Sequence, residues 1–417
     1  MLARRGIAFH YGNMPSLLRS EVERLFRLGK IRFLVCTSTL MEGVNLACRT
    51  IVLRGPRKGR GNPMEAHDFW NLAGRAGRWG HDLQGNIVCV DTTDSRVWPN
   101  GLPRRTRFSI KRETDAVLSR AEELIAYVLG RWVLEPAALA KSPDLEQVSA
   151  YLLALRLREG SILAAPWATR DKKEVLQPLD EALGMLAERI EIPAETASRH
   201  PGVSACGMQK LLEHFRSRKG RPEELPPSAP ESDDAWQRLI MIFHRINRTM
   251  YPAFWPTMRV PIHALVTLEW MRGHSLPSII QKRVQYQYDK GRPVRLPALI
   301  RETMQHVEET ARFAAPKFLS CYLDIARIYM KEIGRSDLYP HHLEFDIYLE
   351  FGVSTKTLIS LLGLGLSRTS AVALYEYMAR DDLDADECRA WAREYGLAGL
   401  DLPPAILREA QRRLLSS

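Results

Sequence analysis

Two arginines, Arg75 and Arg78, stand three residues apart in the stretch Asp68-Phe69-Trp70-Asn71-Leu72-Ala73-Gly74-Arg75-Ala76-Gly77-Arg78. In a helix that spacing puts both on one face, and the small residues on either side keep the face uncrowded. A guanidinium can hold phosphate oxygens bidentately and keeps its charge at every relevant pH. Phosphoryl transfer needs such a cation where negative charge spreads over the departing group. An arginine-rich solvated helix, packed through its small residues, would read the same in isolation. The stretch upstream separates the two.

That stretch runs from Ile31 to Leu46, with Ile31-Arg32-Phe33-Leu34-Val35-Cys36 followed by Thr37-Ser38-Thr39 and then Gly43-Val44-Asn45. The apolar run predicts a buried parallel strand with hydroxyls at its carboxyl end, where open α/β sheets bind ligands. Thr37, Ser38 and Thr39 suit the cap of a following helix, leaving its first amides to meet a phosphate. A second short strand, Thr50-Ile51-Val52-Leu53, comes next.

The order of strand, Thr-rich loop, Gly-Val-Asn, strand and GRAGR helix resembles motifs V and VI of superfamily 2 helicases, and the wording is most similar to the Ski-like branch. Gly6-Ile7-Ala8-Phe9-His10-Tyr11-Gly12-Asn13, with Arg19, Val22-Glu23 and Phe26 after it, resembles that branch's His-containing motif. His10-Tyr11 stands where the branch commonly has two histidines, and Asn71 where many relatives have glutamine. The resemblance implies a second RecA-like α/β domain of the P-loop NTPase type over residues 1–105, incomplete at its N-terminus, with mostly α-helical accessory domains behind it. It implies ATP with Mg2+ as cofactor, both held mainly by a first lobe. Arg75 and Arg78 would be catalytic, facing the γ-phosphate. Gly43, Asn45, Asn71 and Gly74 would bind or couple to ATP, and His10, Thr37 and Thr39 would contact nucleic acid.

The sequence holds no G-x-x-x-x-G-K-[ST] phosphate loop and no DExH or DEAD string. On this reading the chain is the C-terminal half of a helicase, with its first lobe supplied in cis or by another chain. Met1 is then expected to be a mis-assigned start or a contig edge inside a longer gene.

Composition agrees with a nucleic-acid partner. The net charge is +10, and residues 1–112 hold 20 Lys and Arg against 8 Asp and Glu, so the rest is close to neutral. Clusters at Arg54-Arg57-Lys58-Arg60 and Arg104-Arg105-Arg107-Lys111-Arg112 favour a polyanion through counterion release. No apolar run reaches membrane-spanning length. Six cysteines scattered without a Cys-x-x-Cys pair argue against zinc and disulfides and suit a reducing cytoplasm.

Beyond the α/β segment the apolar spacing turns helical. Residues 113–216 read as a helical domain, in the place where the family has a winged helix. Residues 217–235 read as a Pro-rich linker, and 236–335 as a helical domain in the place of the family's ratchet. There Arg312, Phe313, Lys317 and Tyr322 are candidates for strand contact, with Phe313 and Tyr322 better suited to core packing. Residues 338–417 form a helical tail whose Gly363-Leu364-Gly365-Leu366-Ser367-Arg368 resembles the turn of a helix–hairpin–helix. In such a turn Gly363 and Gly365 let amides approach a phosphate, with Ser367 and Arg368 adding contacts. His341, His342, Glu344 and Asp346 beside Pro340 read as surface or capping groups, not a metal site.

The expected function is therefore the C-terminal part of an ATP-dependent helicase or translocase acting on single-stranded DNA or RNA. The rival is a non-catalytic nucleic-acid-binding remnant that lacks ATPase activity.

Overall fold

The structure is a computed structural model. It describes residues 2–12, 14–37, 46, 48–58, 62–77, 84–105, 113–169, 173–217, 221–254, 256–338 and 345–415. The chain divides into two compact units, residues 1–110 with 400–412, and residues 111–399 with 413–417.

The first unit is a small parallel α/β region. Strand β1 (Ile7–His10) pairs in parallel with β2 (Phe33–Cys36), with Phe9 opposite Val35. Helix α1 (Ser16–Arg27) connects them and packs on β1. Strand β3 (Thr50–Leu53) pairs in parallel with β6 (Asn86–Cys89), with Val52 opposite Val88. Between them lie a short antiparallel hairpin, β4 (Arg57–Lys58) and β5 (Asn62–Pro63), and helix α2 (Ala66–Ala73). Phe69, Leu72 and Ala73 recur at helical spacing and turn one face of α2 onto Leu53, Met64 and Trp98. Each large side chain buried there contributes about 1.5–3 kcal/mol.

The strands are not buried on both faces, as the apolar run predicted. Phe9, Phe33, Val35, Val52 and Val88 are 45–65% exposed. Parallel strands are apolar on two faces because helices ordinarily cover both. Here α1 covers only the face that carries Ala8 and His10.

Helix α19 (Pro404–Ala410), near the end of the chain, belongs to this unit. Arg408 Nη2 lies 2.8 Å from Glu21 Oε1 on α1, and Arg24 grips the same carboxylate at 2.8 and 2.9 Å.

The second unit is helical. It comprises α3 (Glu113–Leu118), α4 (Ala121–Gly130), α5 (Pro136–Leu139), α6 (Pro143–Glu159), α7 (Lys173–Ala187), α8 (Ala194–Arg199) and α9 (Ala205–Ser217). Then follow α10 (Ala235–Thr249), α11 (Val260–Met271), α12 (Leu276–Asp289), α13 (Leu296–His306) and α14 (Ala315–Glu332). The unit continues with α15 (Phe345–Phe351), α16 (Lys356–Gly363), α17 (Arg368–Met378) and α18 (Ala385–Tyr395). A π-helical segment, Val307–Ala314, joins α13 to α14 without a break. No strand occurs among the described residues of 113–217, so the wing of a winged helix is not seen among them.

One core runs through this unit, from Val117 through Leu152, Phe215, Phe243 and Tyr322 to Leu349. The stretches 113–216 and 236–335 thus share a core instead of folding as separate bodies. The Pro-rich stretch between them is packed as well. Leu225 is buried, its carbonyl accepts from the Tyr322 hydroxyl at 3.0 Å, and the Glu224 carbonyl accepts from Arg245 at 3.2 Å. No described helix is long and apolar enough to cross a membrane.

Candidate functional site

Helix α2 ends at Ala73, so Arg75 does not share a helical face with a second arginine, and the sequence expectation is corrected. Gly74 caps the helix, the amides of Arg75 and Ala76 turn back to Leu72 and Ala73, and Gly77 adopts φ +98°. Only glycine takes that angle cheaply. The chain then runs as a bridge beside Cys48. The Cys48 amide donates to the Arg75 carbonyl at 3.2 Å, and the Gly77 amide donates to the Cys48 carbonyl at 2.7 Å.

Gly85 makes this close approach possible, because a Cβ there would fall 2.1 Å from the Ala76 carbonyl carbon. Backbone bonds therefore lock the segment around half-buried Arg75 beside Cys48. Arg78, Gly43, Asn45 and Thr39 lie outside the described residues.

Thr37 is exposed at the carboxyl end of β2, its amide bonded to the His10 carbonyl at 3.2 Å. Asn71 is exposed on the last turn of α2, and Gly74 follows it at the surface. His10 is 1% exposed, with Nε2 3.4 Å from Glu23 Oε1. Its ring is closed off from any strand, which corrects the expected nucleic-acid contact to a packing role between β1 and α1. Burial pushes the Cys36 thiol up to about 12, so it supplies no thiolate at neutral pH.

Part of the basic surface is committed internally. Arg54 pairs with Asp91, and Arg57 donates to the Arg96 carbonyl. A cavity of about 430 Å³ opens between Gly55, Pro63, Met64 and Trp98 and the loop through Pro99 to Arg104, and none of the predicted site residues lines it.

In the helical unit the expectations divide. Arg312 is half-exposed on the π-helical segment and pairs with Glu308. Phe313 beside it is 66% exposed, which overturns its reading as a core aromatic. Tyr322 is fully buried, accepting from Arg245 at 2.9 Å, as a core aromatic should be. Lys317 is half-buried, its ammonium 5.3 Å from the Phe318 ring centre.

The tail does form a helical hairpin, α16 to α17, with Gly365 at φ +86° in the turn. Its chemistry differs from the expectation. The amides of Leu364, Gly365 and Leu366 are bonded to Ser360, Leu362 and Leu361, and Ser367 Oγ caps α17 by accepting from the Ser370 amide. Gly363 closes α16. Arg368 is turned inward, its guanidinium 3.7 Å from the Trp270 ring centre and donating to the carbonyls of Gly352, Trp270 and His274. Ser367 therefore caps α17, and Arg368 anchors that helix to Trp270, His274 and Gly352. The partner that recruits Arg368, Trp270, lies almost a hundred residues upstream, where no local pattern reveals it.

Comparison with known proteins agrees with the α/β unit. Residues 2–80 match the helicase conserved C-terminal domain. The N-terminal region is thus a helicase C-terminal domain, followed by a largely helical remainder, and its relatives include Ski-like superfamily 2 helicases. The chain is 33% identical over 97 residues to the Hachiman protein HamB of Bacillus cereus, covering 23% of this chain and 9% of that protein. It is 39% identical over 88 residues to anti-bacteriophage protein B of Escherichia coli, covering 21% of this chain and 12% of that protein. It is 30% identical over 142 residues to the antiviral helicase SKI2 of Saccharomyces cerevisiae, covering 30% of this chain and 11% of that protein. The matched region spans about a tenth of the length of each of these relatives.

Proposed function

We propose that the first unit is the second RecA-like lobe of an ATP-dependent nucleic-acid helicase or translocase. The observation that carries this reading is the backbone lock between Cys48 and the Arg75–Gly77 segment. It fixes the Arg75 backbone beside Cys48, just ahead of strand β3, so that a displacement of one reaches the other. The residues present supply a cation and hydroxyls but no phosphate loop, so this lobe would meet the γ end of a triphosphate cradled elsewhere. ATP and Mg2+ belong mainly to the other lobe, and Arg75 and Arg78 stabilise charge on the transferred phosphoryl. Gly43, Asn45, Asn71 and Gly74 couple nucleotide to strand, and Thr37 and Thr39 meet the tracked DNA or RNA. Closure of the lobes on ATP and their opening after hydrolysis would move the strand by steps.

The exposed apolar face carrying Phe9, Phe33 and Val35 supports a lobe that further polypeptide completes. In the second unit, exposed Phe313 beside Arg312 supports stacking of a base next to a phosphate.

The test is single-strand binding by this chain together with the lobe that carries the phosphate loop, with and without ATP. Affinity that changes with ATP supports the motor. Salt-sensitive binding that ATP leaves unchanged would identify a nucleic-acid-binding remnant instead.

A further inference from the structure

The second unit is close to neutral, yet the hairpin of α12 and α13 is not. Residues 282–302 hold six Lys and Arg against two Asp and Glu. Four of the cations, Lys290, Arg292, Arg295 and Arg301, are exposed. The two acids are already engaged, since Asp289 accepts from Gln285 at 2.7 Å and Glu302 lies 3.7 Å from buried Arg283. None of the four exposed cations has an acidic partner among the described residues.

The helix dipole favours Lys290 at the C-terminus of α12, but it does not account for Arg295. Arg295 immediately precedes α13, whose first turn contains no acid, and the helix dipole disfavours cations at that end. Tyr288 stands 62% exposed in the same stretch, and Lys290 reaches over the neighbouring Tyr286, its Nζ 6.0 Å from the ring centre. The two helices beneath are cross-linked by a buried arginine. Arg283, from α12, donates to Thr303 Oγ1 and approaches His306 Nδ1 on α13, each at 3.1 Å, which ties the two helices together.

We infer that the α12–α13 hairpin is a binding surface for single-stranded nucleic acid, with Lys290, Arg292, Arg295 and Arg301 on successive phosphates and Tyr288 stacked on a base. Four exposed cations with no acidic partner among the described residues match a polyanion. An exposed aromatic among them matches an unpaired strand, whose bases are free to stack, better than a duplex. The inference rests on the proposed reading only in that nucleic acid is the partner, and it requires neither ATP nor the motif residues.

The test is fluorescence anisotropy of the full chain with labelled oligo(dT) and oligo(rU) across a potassium chloride series. The variants are Lys290→Gln/Arg292→Gln/Arg295→Gln/Arg301→Gln together, and Tyr288→Ala alone, each checked for unchanged unfolding. The fourfold variant should lower the slope of log K against log salt by about 2 to 3, because each single-strand phosphate contact contributes about 0.7. Tyr288→Ala should weaken binding by about fivefold to a hundredfold with the slope retained. A fourfold variant with wild-type slope and affinity overturns the inference and leaves the helicase reading standing. Preference for duplex over both oligonucleotides, with Tyr288→Ala neutral, also overturns it. A wild-type chain that binds neither strand overturns this inference and the nucleic-acid partner of the proposed function together.

Discussion

The Gly77 amide donates to the Cys48 carbonyl at 2.7 Å, and this one bond closes the bridge that fixes Arg75. It depends on two glycines that the protein cannot readily exchange. A Cβ on Gly85 would meet the backbone of Ala76, whereas one on Gly74 would find only ordinary contact at 3.4 Å.

Gly85→Ala should therefore destabilise the first unit by about 2 kcal/mol or more, and Gly77→Ala by about 1–2 kcal/mol from its positive φ. Gly74→Ala should stay within about 0.5 kcal/mol of wild type. Urea unfolding followed by circular dichroism checks the order. Equal effects at Gly74 and Gly85 would contradict the close approach.

Arg368 should behave as a structural residue. Arg368→Met removes a cation from Trp270 and leaves three carbonyls without their donor, and it should cost about 3 kcal/mol in unfolding free energy. Arg368→Lys, with a charge but no planar fork, should fall between the two. Under conditions where the variants are folded, the salt dependence of oligonucleotide binding should match wild type. A loss of one phosphate's share of the slope with no loss of stability would return Arg368 to the surface.

Phe313 and Tyr322 should part company in the same way. Phe313→Ala should leave stability within about 0.5 kcal/mol and weaken single-strand binding. Tyr322→Phe deletes the hydroxyl shared by Leu225 and Arg245 and should cost about 1–3 kcal/mol, with no direct effect on binding. Paired unfolding and anisotropy measurements separate them.

These residues show what was legible in the sequence. The parallel strands and the α/β-to-helical switch after residue 112 follow from period and run length. The end of α2 before Arg75 was signalled only by Gly74 and Gly77, which small-residue packing would equally explain, and the pairing with Cys48 that draws the chain away is remote in sequence. Arg368 looked like a free cation because its aromatic partner is remote in sequence. Phe313 was misread because the eight-residue π-helical segment breaks the 3.6-residue phase on which a face assignment depends. His10 could be placed at a strand end, but nothing local told which side of the strand α1 would cover.

Acid should weaken the helical unit through two histidines. Burial, followed by the charges of neighbouring arginines, lowers His263 to about 4 and His306 to about 3. The unfolded chain takes up these protons below about 6.5 while the folded one does not. Their contribution is thus complete above that pH and is lost as pH falls toward 4 and then 3, by at most about 1.4 kcal/mol per pH unit for each histidine. Between pH 7 and 4.5, the urea midpoint of His306→Gln should fall less steeply than that of wild type. Parallel pH profiles would contradict a neutral, half-buried His306.

The most direct test of the central claim is ATP turnover, with single-stranded nucleic acid present, by this chain joined to the lobe that carries the phosphate loop. Arg75→Ala should lower turnover about a thousandfold or more, with folding and strand binding retained. Turnover equal to that of the unmodified pair would contradict the assignment of Arg75 and, with it, the reading of the first unit as a motor lobe.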